Sequence, residues 1–365
     1  MAHRNPVNLL RAIAVLLVFC HHYAHYMHTD LGIIGFYGGM IGVQLFFLIS
    51  GYLIIKTAIN RDVFLFLRGR ILRIYPTYWT ILIIASLIFQ PVLPYAFHDA
   101  SYFWINFLAL SHLSPYAAGK FDVLTVSWTL TIEWLWYLTA PLLLFLYRKS
   151  PSKKHAWNNF WIIALLGAIA IQVLWFFAVK SQNLDGFYVA SIEKLGFSGI
   201  PENLRTAFMY SAAPSQFVFF IIGACIYIHE KELRQKNMAI YAVIGTITLT
   251  TPSFWLLGIG LDPSFVSGLG LAAFFVIALQ SSEALSKGVL RPLHWIGDWS
   301  YPLYLIHVPI FLTGSRLWQT SGIQWFIPYL FVSLAIAGVV HLFIETPSMR
   351  FSNFLDRRSG INARA

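Results

Sequence analysis

The chain is 365 residues long, 58% hydrophobic and only 11% charged, less than half the roughly 25% charged share of an ordinary soluble domain. That composition excludes a soluble globular enzyme and belongs to a polytopic membrane protein. A net charge of +10 would point a soluble protein toward nucleic acid, but membrane topology accounts for it, so no nucleic-acid partner is expected.

Apolar runs of about 20 residues are long enough to cross the hydrocarbon. Ten stand at 8–28, 36–57, 76–95, 125–147, 158–180, 206–228, 238–257, 263–281, 296–315 and 323–345. The fold expected is all-α, a polytopic transmembrane helical bundle of about ten membrane-spanning helices, with both termini cytoplasmic. Of the 25 Lys and Arg residues, 20 fall on the side of the N-terminus and 5 on the other, which is the bias the positive-inside rule demands. The run from Leu9 has no small-residue cleavage site after it, so it reads as a retained helix and not a signal peptide. Between the third and fourth runs, Tyr102 to Leu113 is apolar but short, either re-entrant or interfacial. Residues 96–124 and 181–205 form the longer connections opposite the N-terminal side, and loops of this size shape a site or merely connect. Residues 1–347 make up the membrane domain, and 348–365 a short basic cytoplasmic tail.

Chemistry-bearing residues are few. On a helix, eleven steps bring His22 back to within about 20° of the Arg11 azimuth and about 16 Å further along the axis. His25 shares that face, while His21 is turned roughly 80° away. A guanidinium and an imidazole placed so in a membrane helix suggest a function, although Arg11 can also snorkel and His22 also serve as a packed, hydrogen-bonded histidine. Cys20 and Cys225 lie in apolar runs and read as buried thiols without a disulfide. No metal-spaced Cys/His cluster, Walker loop or dinucleotide fingerprint occurs, so no metal and no bound cofactor are expected.

Six patterns stand in order along the chain: Arg11-x10-His22, Gly42-Val-Gln-Leu-Phe-Phe-Leu-Ile-Ser-Gly-Tyr-Leu-Ile54, Arg70-Ile-Leu-Arg73-Ile-Tyr-Pro76, Ser127-Trp-Thr-Leu-Thr-Ile-Glu133, Tyr301-Pro-Leu-Tyr-Leu-Ile-His307-Val-Pro309 and Ile344-Glu-Thr-Pro347. Together they resemble the acyltransferase-3 family of integral membrane O-acyltransferases. The resemblance implies transfer of an acyl group, usually acetyl, from cytoplasmic acyl-CoA to a hydroxyl of an extracytoplasmic or lipid-linked carbohydrate such as lipopolysaccharide O-antigen or exopolysaccharide. It also implies residence in a bacterial inner membrane. The partners implied are acyl-CoA (acetyl-CoA above all) as donor substrate, the carbohydrate acceptor, membrane lipids and envelope glycan assembly proteins.

On this resemblance His22 is the catalytic base and Glu133 its orienter, since both can stand at one depth in the outer half of the membrane. An acyl intermediate on His22 stays open as a second route. Arg11, Arg70 and Arg73 are expected to bind the phosphates of the donor, the latter two from a loop, because guanidinium groups take phosphates bidentately. His25, Gln44, Ser50, Trp128, Tyr304 and His307 are candidates for the acceptor contact or the pore lining, with close helix packing the competing role for Ser50 and its neighbours. Glu345 is expected to pair with an arginine such as Arg70 or Arg73. Ten helices with buried polar residues suit a secondary transporter or a glycan-translocating protein as well, but the sequence has no convincing internal repeat of the kind transporters carry.

Overall fold

The computed structural model describes residues 6–88, 100–113, 123–148, 155–181, 211–250, 264–281 and 290–358. Among these, all regular structure is helical: α1 (Pro6–Tyr26), α2 (Gly32–Ala58), α3 (Val63–Ile88), α4 (Ala100–Phe107), α5 (Trp128–Arg148), α6 (His155–Lys180), α7 (Ala213–Ile228), α8 (Glu230–Arg234), α9 (Met238–Thr250), α10 (Ser264–Gln280), α11 (Arg291–Asp298), α12 (Ser300–Leu317), α13 (Phe326–Val340) and α14 (Thr346–Arg358). A π turn, His341–Glu345, joins the last two. Each of the ten expected runs carries a helix. Six helical stretches are long and apolar enough to cross a membrane, the last of them running continuously from Ile323 to Arg357. Ala213–Ile228, Met238–Leu249 and Val266–Gln280 are apolar but shorter.

α2 is the central helix, packed against α1, α7, α10, α5 and α3. Its small residues allow this. A Cβ on Gly42 would stand 2.5 Å from the Ala14 carbonyl oxygen of α1, and one on Gly38 2.6 Å from that of Leu17. Gly51 and Gly223 likewise bring the α2 and α7 backbones together, each against a carbonyl of the other helix. Apolar side chains gain little by leaving lipid for protein, so close backbone packing of this kind is a main source of helix association in membranes.

α3 begins earlier than the apolar run suggests. Asp62 caps it, its Oδ1 accepting from the backbone N–H of Phe64 at 2.9 Å and of Leu65 at 3.3 Å. Arg70 and Arg73, expected in a loop, are therefore on a helix. Pro76 has no N–H, so the Leu72 carbonyl one turn earlier lacks its helical donor, and the Ser348 hydroxyl of α14 donates to it instead. α14 is further clamped to the start of α3 by Asp356, which receives Arg61 at 3.0 Å and Arg68 at 2.7 Å. Residues 348–358 of the expected tail are thus a docked helix.

α4, at eight residues, is too short to cross. Its C-terminal end lies against the middle of α3, where Tyr78, Trp79 and Tyr75 donate to the carbonyls of Asn106 (2.6 Å), Phe107 (2.9 Å) and Leu108 (3.0 Å). Thr131 of α5 donates to the Ala109 carbonyl at 2.7 Å. These bonds satisfy the carbonyls of the non-helical backbone that follows α4, as either a re-entrant or an interfacial segment requires. The connection 181–205 lies outside the described residues, apart from Ser181.

Candidate functional site

The arginines of α1 and α3 meet at one cavity of about 190 Å³. Its polar wall is Arg11, Ser50, Thr57, Arg70, Arg73, Thr129, Glu133, Tyr137, Ser300, Tyr301 and Tyr304, and its apolar wall is Val43, Phe46, Phe47, Ile49, Leu53, Ile54, Ile74 and Leu130. Arg70 and Arg73 reach it together because residues three apart share a helix face. The Arg70 guanidinium lies 5.4 Å over the Phe66 ring, and its Nη2 faces Thr57 Oγ1 at 3.5 Å. Its Nε is buried and has no hydrogen-bond partner among the described residues.

Charge in this cavity is unbalanced. Arg11 has Arg73, Glu345, Asp298 and Glu133 as its charged neighbours, and Arg70 has Arg73, Glu133 and Arg61 among its own. Among the described residues, none of the three guanidiniums has a carboxylate within ion-pair distance. The nearby carboxylates are engaged elsewhere. Glu133 accepts from the Ser50 hydroxyl at 2.9 Å and has Tyr137 as a neighbour in the cavity wall. Asp298 accepts from Asn8 Nδ2 at 2.5 Å. Glu345, only 2% exposed, pairs with His341 at 2.9 Å, so the expected partnership with Arg70 or Arg73 is not formed; the π turn brings the histidine to it first. Three arginines facing one wall carboxylate leave a net positive pocket, which suits a polyanionic ligand.

The other end of the shared α1 face is built differently. His22 Nδ1 lies 2.9 Å from His307 Nε2 of α12, and His307 Nδ1 lies 3.1 Å from the Leu303 carbonyl. Phe19 and Phe311 pack around the His307 ring, with centroids 6.1 and 5.7 Å away. His21, turned away from that face, meets α2, its Nδ1 2.8 Å from the Gly35 carbonyl. Neither His22 nor His307 is in the cavity wall, but Tyr304, one turn before His307, is.

Arg11, Ser50, Arg70, Arg73, Glu133 and Tyr304 are therefore brought together, and His22 with His307. Glu133 does not contact His22. α1 and α2 run antiparallel, with Gly42 beside Ala14 and Val18, so Ser50, about two turns further on, stands near the Arg11 end of α1. Glu133, bonded to Ser50, stands there too. The expected common depth of Glu133 and His22 is therefore not found, because the α1–α2 register carries Ser50, and Glu133 with it, to the Arg11 end. Gln44 is buried and accepts from Ser267 at 3.0 Å, away from the cavity wall. Trp128 packs against Phe47 and His112, with ring centroids 6.3 and 5.2 Å away. His25 is exposed beside Tyr26. Thr57, Tyr137 and Tyr301 were missed, though helical spacing points to each: Thr57 is seven residues after Ser50, Tyr137 four after Glu133, and Tyr301 three before Tyr304.

Fold and site together define a helical membrane protein with a buried, cationic, apolar-walled cavity. The chain belongs to the acyltransferase-3 family, whose model, described as an acyltransferase domain, matches residues 5–344. It is similar to the acyltransferase MdmB of Streptomyces mycarofaciens, 28% identical over 341 residues that cover 86% of this chain and 81% of that protein. It is also similar to nodulation protein 10 of Rhizobium leguminosarum bv. viciae, 24% identical over 98% of this chain and 96% of that one. The peptidoglycan O-acetyltransferase OatA of Listeria monocytogenes is 24% identical over 96% of this chain, which spans 56% of that protein. No solved structure matches the chain.

Proposed function

We propose that this membrane acyltransferase carries an acyl group, with acetyl the first choice, from cytoplasmic acyl-CoA to a hydroxyl of an extracytoplasmic or lipid-linked carbohydrate in a bacterial inner membrane. The observation that supports the donor best is the cavity in which Arg11, Arg70 and Arg73 face an apolar wall with a single carboxylate among them. The coenzyme A phosphates suit the three guanidiniums, and the pantetheine arm suits the apolar wall. His22, about 16 Å along α1 from Arg11, lies in the direction a long arm would extend. The relatives named O-acetyltransferases favour acetyl and a hydroxyl acceptor, and the one named for peptidoglycan favours a glycan.

In this reading His22 takes the proton of the acceptor hydroxyl as its oxygen attacks the thioester carbonyl. The tetrahedral intermediate collapses with cleavage of the carbon–sulfur bond, and the coenzyme A thiolate receives the proton from the imidazolium. Glu133 keeps Ser50 in place and offsets part of the charge of the arginines. Membrane lipids and envelope glycan assembly proteins are the partners that would present the acceptor.

The test is release of free CoA from acetyl-CoA by purified protein in liposomes supplied with extracted envelope glycan. Turnover should vanish in His22→Ala and recover in Arg73→Ala at raised acetyl-CoA. Failure of folded wild type to bind or consume any acyl-CoA would remove the donor assignment and favour a transporter.

A further inference from the structure

The polar contact at His22 Nδ1 is another imidazole, and the hydrogen-bond chain through it has only one consistent direction. The Leu303 carbonyl can only accept, so the His307 nitrogen facing it at 3.1 Å, Nδ1, carries its hydrogen. In a neutral imidazole the other nitrogen is then an acceptor. His307 Nε2 therefore presents a lone pair to His22 Nδ1, 2.9 Å away, and His22 must carry its hydrogen on Nδ1. The opposite tautomer would set two lone pairs against each other at that distance. His307 is 1% exposed and packed by Phe19 and Phe311, so its ring is held in this orientation. The His22 ring is the more open of the two.

We infer that His307 is the positioning residue of the reaction, holding His22 as its Nδ1–H tautomer so that Nε2 is the one nitrogen able to act as base. This rests on the acyl-transfer reading for its chemistry, but the tautomer itself does not. It gives His307 a part in the reaction in place of contact with the acceptor, and it fills the orienting place with a neutral group in place of a carboxylate. When Nε2 takes the hydroxyl proton, the positive charge is shared along the pair: the Nδ1 hydrogen of His22 can move to His307 Nε2 and return as the thiolate is protonated, so no proton is lost or gained. Tyr304, with its ring 6.0 Å from that of His307 and its side chain in the cavity wall, links this pair to the arginine pocket. The Val18 carbonyl also faces the His22 ring and is the competing holder of the same hydrogen.

Two variants separate these roles. His307→Gln keeps an acceptor near the Nε2 position, and His307→Met keeps the bulk without it. With acetyl-CoA and glycan in liposomes, the Met variant should lose about 10²-fold in kcat with KM for acetyl-CoA within about 2-fold of wild type. The Gln variant should recover to within about 10-fold of wild type. Solid-state NMR of protein labelled with ¹⁵N-histidine reads the tautomer without any substrate. His22 should be protonated at Nδ1 in wild type and in His307→Gln, and should become a mixture in His307→Met. Wild-type His22 protonated at Nε2 overturns the inference whether or not the protein turns over acyl-CoA. A folded Met variant with unchanged tautomer and kcat also overturns it, leaving Val18 as the holder. Equal losses in the Gln and Met variants reduce His307 to packing. Inactive wild type that still shows the Nδ1–H tautomer counts against the acyl-CoA reading alone.

Discussion

The two ends of the α1 face solve the problem of burying polar groups in opposite ways. At the Arg11 end, three guanidiniums share a cavity with one carboxylate and no ion pair among the described residues, so the end is left electrically incomplete. At the His22 end, two imidazoles and a carbonyl satisfy one another in a closed line. Incomplete charge is what a site for an anion needs, since the ligand supplies the missing partner. A satisfied neutral pair is what a base needs, since it must stay unprotonated at rest. On the proposed function the first end binds and the second reacts, and each should fail in its own way.

The sharpest break is His22→Ala. It should lower kcat by about 10³-fold while binding of acyl-CoA, followed by calorimetry, is unchanged. If donor binding fell with it, the division between the ends would be wrong.

Next comes Arg73→Ala, which should raise KM for acyl-CoA by about 10- to 100-fold, the value of one or two charge-assisted hydrogen bonds. Saturating donor should restore kcat. Arg73→Lys should recover only part of the affinity, because a point charge does not reproduce the bidentate fork. A kcat loss that no donor concentration repairs would place Arg73 in the chemistry.

Ser50→Ala removes a hydroxyl that donates to Glu133 at 2.9 Å and should change KM by less than about 10-fold with kcat steady.

The smallest effect should come from Asp356→Asn. It loosens α14 from Arg61 and Arg68, whose side chains are 31% and 23% exposed, and pairs so placed contribute about 1 kcal/mol at most. Thermal unfolding should shift down by a few degrees, with both kinetic constants unchanged.

Much of the molecule was legible residue by residue. The ten apolar runs each hold a helix, because hydropathy over about 20 residues is a local property that lipid reads directly. The common face of Arg11 and His22 was legible for the same reason, since 3.6 residues per turn is a property of one helix. The start of α3 was signalled by Asp62, which caps it, and was passed over because the charged first turns of that helix masked its periodicity.

Partner choice was not legible in this way. Helical spacing put Tyr304 and His307 on one face of α12, but not that His307 would turn to α1 and meet His22. Counting depth put Glu133 level with His22, yet Glu133 bonds Ser50 at the arginine end. Azimuth and register between helices are set where backbones can approach, at Gly38, Gly42 and the Gly51–Gly223 crossing, and such contacts join residues far apart in the chain. The sequence by itself determined a helical membrane protein, its order of motifs and the face on which its arginine and histidine lie. Only the tertiary structure decided which groups those residues meet, because that depends on how separate helices pack and not on the period of any one of them.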